Sequence, residues 1–85
     1  MTYGLFAMRD ARTGFTSVTV DQNDASAVRN FFFAVQHSDT VMTAFAREFS
    51  LYRLADFDSD SGVITPLSPI VFLANGDDAF KDGDK

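Results

Sequence analysis

Apolar and polar positions along this chain follow a two-residue period in some stretches and a helical period in one. Residues 3–9 alternate, with Phe6 and Met8 on one side and Tyr3 and Leu5 on the other. That pattern predicts a strand with apolar groups on both faces. Residues 15–20 carry the β-branched Thr16, Val18, Thr19 and Val20 and predict a second strand. Asp21-Gln22-Asn23-Asp24 then supplies residues that cap helix starts. With Asn23 or Asp24 as N-cap, Val28, Phe31, Phe32 and Val35 form one apolar stripe of a helix ending near His37-Ser38-Asp39. Phe33 falls off the stripe, which leaves it either partly covered by the following segment or in contact with another subunit.

Residues 40–45 read as a short helical turn capped by Asp39. A third strand follows over residues 49–57, with Phe49, Leu51, Arg53, Ala55 and Phe57 on one face and Ser50, Tyr52, Leu54 and Asp56 on the other. A fourth begins at Val63-Ile64-Thr65, where Pro66 and Pro69 limit central pairing. The apolar run Ile70-Val71-Phe72-Leu73 leaves room for a fifth, edge strand, ended by Asn75-Gly76.

The two strand pairs share a turn plan. Asp10-Ala11-Arg12-Thr13-Gly14 and Asp58-Ser59-Asp60-Ser61-Gly62 both place an Asp where it accepts from turn amides. In both, a Gly supplies the left-handed backbone that closes a hairpin. The expected fold is α+β: an antiparallel sheet of two hairpins flanking one main helix, β-β-α-β-β. One helix covers one side of such a sheet. Strands one and three carry apolar groups on both sides, so the other side needs the 66–74 segment, a second copy, or a ligand such as stacked bases.

At 85 residues the chain makes one small domain, read as residues 1–76 with a flexible acidic tail at 77–85. Ten Phe and two Tyr supply its core in the absence of Trp. The lack of cysteine removes disulfides, thiolate metal sites and cysteine nucleophiles. No basic-then-apolar leader opens the chain and no apolar run approaches the length of a membrane helix, so a soluble, cytoplasmic protein with no membrane partner is expected. A net charge of −5 argues against a surface that embraces phosphate all over. All basic residues before the tail are Arg, which forks onto carboxylates and phosphates and stacks on rings, so a local anion site is compatible with an acidic chain.

The alternating Asp56, Asp58 and Asp60 bear only a faint likeness to a calcium loop. Ser61 and Leu67 stand where an EF-hand needs Gly and Glu, which leaves a solvated turn. His37, the one histidine, falls at the helix end, where an imidazolium has a capping role. No nucleophile elbow and no phosphate-cradling glycine loop is present, so neither an enzyme nor a cofactor is expected. The constellation with binding chemistry is a single-strand platform: Tyr3, Phe15, Tyr52 and Phe57 for stacking, and Arg9, Arg12 and Arg53 for phosphates. The plain alternative is that these aromatics belong to core or interface. Asp77, Asp78 and Phe80 resemble the acidic, Phe-bearing tips with which bacterial single-strand binding proteins recruit partners, although five residues follow Phe80 here.

The order of these motifs resembles the small nonstructural protein of gokushovirus-type microviruses, tailless icosahedral bacteriophages with single-stranded DNA genomes. The resemblance rests on Met8-Arg9-Asp10, on Asn23-Asp24-Ala25-x-Ala27-Val28-Arg29-x-Phe31, on Phe49-Ser50-Leu51-Tyr52-x-Leu54-x-x-Phe57-Asp58 and on Ser61-Gly62. It spans residues 3 to about 73. Where that family carries Asn-Asp-Pro after the helix and a Pro before the third strand, this chain has His37-Ser38-Asp39 and Ala46. The resemblance implies a viral accessory role in single-stranded DNA genome replication or packaging, and no catalytic residues. The implied partners are single-stranded DNA and phage replication or procapsid proteins. The alternative is an assembly or scaffolding module with no DNA contact, and in either case self-association as a homodimer is expected from the two-sided apolar strands.

Overall fold

The computed structural model describes residues 1–38 and 41–80. Strands β1 (Thr2–Asp10) and β2 (Gly14–Asp21) form the first hairpin, and β3 (Phe49–Asp58) and β4 (Ile64–Asn75) the second. Helix α1 (Asp24–His37) and the short α2 (Val41–Ala44) lie between them in sequence, and a 3₁₀ helix at Ala46–Glu48 leads into β3. The strands make one antiparallel sheet in the order β2-β1-β3-β4. The architecture is therefore the α+β arrangement of two hairpins and one main helix that the sequence pattern predicts.

Both hairpin turns use the chemistry read from the sequence. Asp10 accepts from the Arg12 amide at 2.9 Å, and Asp58 from the Asp60 amide at 2.9 Å. Gly14 and Gly62 hold φ of 103° and 79°, the region that side chains disfavour. At the start of α1 the Asn23 side chain accepts from the Ser26 amide at 2.8 Å, which settles the N-cap. At its end the Thr43 hydroxyl lies within hydrogen-bond reach of the Val35 and Ser38 carbonyls, and so serves acceptors where the helix runs out of its own donors. The proposed Asp39 cap of the next turn lies outside the described residues.

The core forms where α1 crosses one face of the sheet. Phe31, Val35 and Ala27 of the helix meet Phe6, Phe49, Leu51 and Ala74 of the strands, with Val28, Phe32 and Met8 packed around them. Phe6 and Val35 are fully buried. Gly4 has a steric reason to be glycine: a Cβ there would stand 2.4 Å from the Phe6 ring. Phe33 faces away from this core, 62% exposed, with its ring stacked 4.2 Å from that of His37.

Two elements differ from the sequence reading. Residues 63–73 do not form a fourth and a fifth strand; β4 is one edge strand running through both prolines. Ala55 pairs with Pro66 and Arg53 with Val71, so residues 67–70 bulge out of the ladder around a cis Ser68–Pro69 bond. An edge strand tolerates this because one row of its backbone groups has no neighbour to bond. Apart from that bulge, the 66–74 segment is thus a strand of the sheet rather than a separate cover for its second face. Residues 77–80, placed in a loose tail by the sequence reading, complete a 3₁₀ helix at Gly76–Phe80, with Ala79 buried in the core and its carbonyl accepting from the Gln36 side chain. Residues 81–85 lie outside the described residues.

Candidate functional site

Side chains of directly paired strand residues project to the same side, so the register sorts the sheet into two faces. The helix side is anchored by Phe6, Met8, Leu51 and Ala74. The opposite side holds Tyr3, Leu5, Ala7 and Arg9 of β1, and Val20 and Phe15 of β2. It also holds Ser50, Tyr52, Ala55 and Phe57 of β3, and Asn75, Phe72, Pro66 and Ile64 of β4. The helices pack on the first side through Ala27, Met42, Ala46 and Ala79, which leaves this second face without a helix over it. Phe15 is 46% exposed, Phe72 49% and Ile64 52%.

Three rings run across it. Phe15 and Tyr52 meet edge to face at 5.5 Å between centroids, and Tyr52 and Phe72 do so at 5.7 Å. Phe15 is on β2 and Tyr52 on β3, so the first contact spans β1, where the residue paired with Tyr52 is the small, fully buried Ala7. Edge-to-face geometry adds about 0.5–1.5 kcal/mol per pair beyond burial and fixes the ring tilts. The Arg9 guanidinium lies 5.9 Å from the Phe15 ring centre, within cation–π range.

The distribution of charge is the second feature of this face. Of the strand carboxylates, Asp10 pairs with Phe49, Asp21 and Asp56 with Gly4, and Asp58 with Thr2, so all four fall on the helix side. Arg9 is the one charged strand residue on the open side. A chain of net charge −5 thereby carries a sheet face free of strand carboxylates.

The seven stacking and phosphate candidates separate into three groups. Phe15, Tyr52 and Arg9 come together, and Tyr3 shares their face at the far end of β1, paired with Phe57. Arg12 lies in the first turn, with its Nε 2.7 Å from a Glu48 carboxylate oxygen, which raises its pKa above the already high guanidinium value. Arg53 lies on the helix side, 2.7 Å from both Asp24 and Asp56, 5.5 Å from the Phe6 ring centre and four-fifths buried. Its hydrogen bond to Asp24 is the largest cause of an upward pKa shift. The register brings Arg53 no closer to the stacking rings, because Tyr52 next to it points to the other face. Phe72 is the ring that sequence reasoning missed. Its signal was the apolar run at 70–73, which the prolines made look like a separate edge strand.

Asp77, Asp78 and Phe80 belong to the terminal 3₁₀ helix, where an Asp78 oxygen stands 3.3 Å from the Asn75 amide and Phe80 is half exposed. The Asp58 carboxylate is held below its ordinary pKa by the Asp60 amide first and the Ser61 hydroxyl second, so its charge serves the turn. His37 has Nδ1 3.0 Å from the Phe33 carbonyl in the last turn of α1. On the helix side, a cleft of about 350 Å³ opens between β2 and α1, with Met8, Phe31 and Leu51 at its lining and Asp21 and Asn30 bonded to each other at 3.2 Å.

A hairpin-helix-hairpin protein with one face packed and one face aromatic is the class that fold and site define. A family model described as Phage ORF5 protein matches residues 3–79, which takes in the four strands but for Thr2, all of α1 and nearly all of the terminal 3₁₀ helix. The chain belongs to this family and is a phage protein. No curated protein and no solved structure matches it. None of its described helices is long and apolar enough to cross a membrane.

Proposed function

We propose that this phage protein is a nonstructural accessory factor of a gokushovirus-type microvirus, acting in single-stranded DNA genome replication or packaging from the host bacterial cytoplasm. Its role is binding rather than catalysis, and the open sheet face is the surface that contacts unpaired DNA. The observation that carries this reading is the Phe15–Tyr52–Phe72 row on a face free of strand carboxylates, with Arg9 at one end. Aromatic side chains accept any base on their π-faces, and the displacement of the acids to the other side removes repulsion where a strand would lie. Titration of the purified protein with single-stranded and with duplex DNA tests it. Binding confined to the single strand supports the reading; no binding to either at low salt overturns it.

A second reading is a protein–protein module, with the same face buried against a second copy or a phage protein. It is favoured by the aliphatic Val20 and Ile64 that flank the rings and by the exposed Phe33 on α1. Light scattering separates the two. A dimer that Tyr52→Ala converts to a monomer assigns the face to protein contact.

A further inference from the structure

Resting on the single-stranded DNA reading, we infer that the open face takes unpaired bases and that Arg9 is its one phosphate contact. Three observations lead there. The first is ring geometry: Tyr52 is crossed to Phe15 at 75° and to Phe72 at 73°. Rings crossed in this way offer separate small surfaces to individual bases, which suits a flexible single strand. A duplex keeps its base faces covered by their neighbours and has nothing to present to them.

The second is the state of the other arginines, all of them among the described residues. Arg12 is engaged by Glu48, and Arg53 is held between Asp24 and Asp56 on the far side of the sheet. Arg29 lies on α1 and Arg47 on the 3₁₀ helix before β3, so neither is on a strand of this face. Arg9 makes no ion pair among the described residues and already leans on a stacking ring.

The third is the second turn, at the far end of β3. There Asp58 and Asp60 hold the N-terminal ammonium at 3.6 and 2.8 Å and leave net acid, so extending the strand toward this turn gains no phosphate contact. The site is therefore driven by stacking and is short.

Salt reads this directly. Each neutralised phosphate of a single strand contributes about −0.7 to the slope of log affinity against log salt. One contact means a fall of about threefold between 50 and 200 mM salt, whereas phosphate contacts by Arg9, Arg12 and Arg53 together mean about 18-fold. The experiment is fluorescence anisotropy of the full chain with a labelled oligothymidine at salt concentrations across that range. It is repeated with Arg9→Gln and Arg12→Gln.

A fall below about sevenfold, flattened further by Arg9→Gln and unchanged by Arg12→Gln, is the expected result. A fall of sevenfold or more, which is the two-contact value, overturns the inference while leaving DNA binding intact. So does a slope that Arg9→Gln does not alter. Absence of binding even at 50 mM salt overturns the single-stranded DNA reading itself, and the inference with it.

Discussion

The two faces of this sheet are built from the same four strands and have opposite fates. On the helix side, Phe6, Leu51 and Phe49 are buried under α1, and the largely buried guanidinium there is paired: Arg53 lies between Asp24 and Asp56. On the open side, residues one position away along the same strands leave aromatic rings half in water beside a lone Arg9. Burying a charge is costly unless it is paired, so the guanidinium on the packed face needs partners within the molecule. The open face has no such constraint, and its one cation is left for something outside the molecule. The comparison separates residues that hold the fold from residues that the fold displays.

Truncation should show the contrast most strongly. Phe6→Ala empties a fully buried site and should cost about 3–5 kcal/mol in urea unfolding. Phe72→Ala, at a ring half exposed, should cost only about 1 kcal/mol, from partial burial and one edge contact. Equal costs, with an unfolding midpoint that rises with protein concentration, would break the comparison by showing that the open face is covered by a second copy.

Overfilling the packed face comes next. Gly4→Ala drives a methyl to within 2.4 Å of the Phe6 ring and 3.0 Å of the Arg53 guanidinium carbon, which should destabilise the protein by about 1–3 kcal/mol on the same assay. Removing the cap of α1 is milder. Asn23→Ala leaves the Ser26 amide without its acceptor and should cost about 1 kcal/mol, seen as faster hydrogen exchange in the first turn of the helix.

The smallest effect is in the second turn. The native Asp58 carboxyl has a depressed pKa, so the stability it contributes is complete above the unfolded carboxylate value. That contribution is lost as pH falls through the lower folded value. Asp58→Asn should remove this part of the acid sensitivity, measured as the change in thermal midpoint between neutral pH and pH 3.

Much of this was legible in the chain. The turn residues, the Asn23 cap and the Phe31–Val35 stripe are local devices, and each acts within a few residues of where it is written. What escaped depends on long-range register. Arg53 pairs with Phe6 and Ala55 with Leu5, so Leu54 is an extra residue that shifts the rest of β3 by one position. Strict alternation placed Ala55 and Phe57 with Leu51; the bulge moves them to the face of Tyr52 and brings Asp56 round to Arg53. Pro66 and Pro69 read as strand stops because the sequence does not reveal that β4 is an edge. The site was half visible for the same reason. Phe15, Tyr52 and Arg9 stood out by type, but the strand order that unites them with Phe72 and excludes Arg53 is tertiary.

The central claim is that the open face, and not the packed one, meets unpaired bases. Aromatic proton resonances of the full chain, followed by NMR during titration with an oligothymidine, test it most directly. The account predicts progressive shifts for the rings of Phe15, Tyr52 and Phe72, with those of Phe6 and Phe31 unmoved. Shifts confined to α1 or the turns, or none at saturating oligonucleotide, would contradict it.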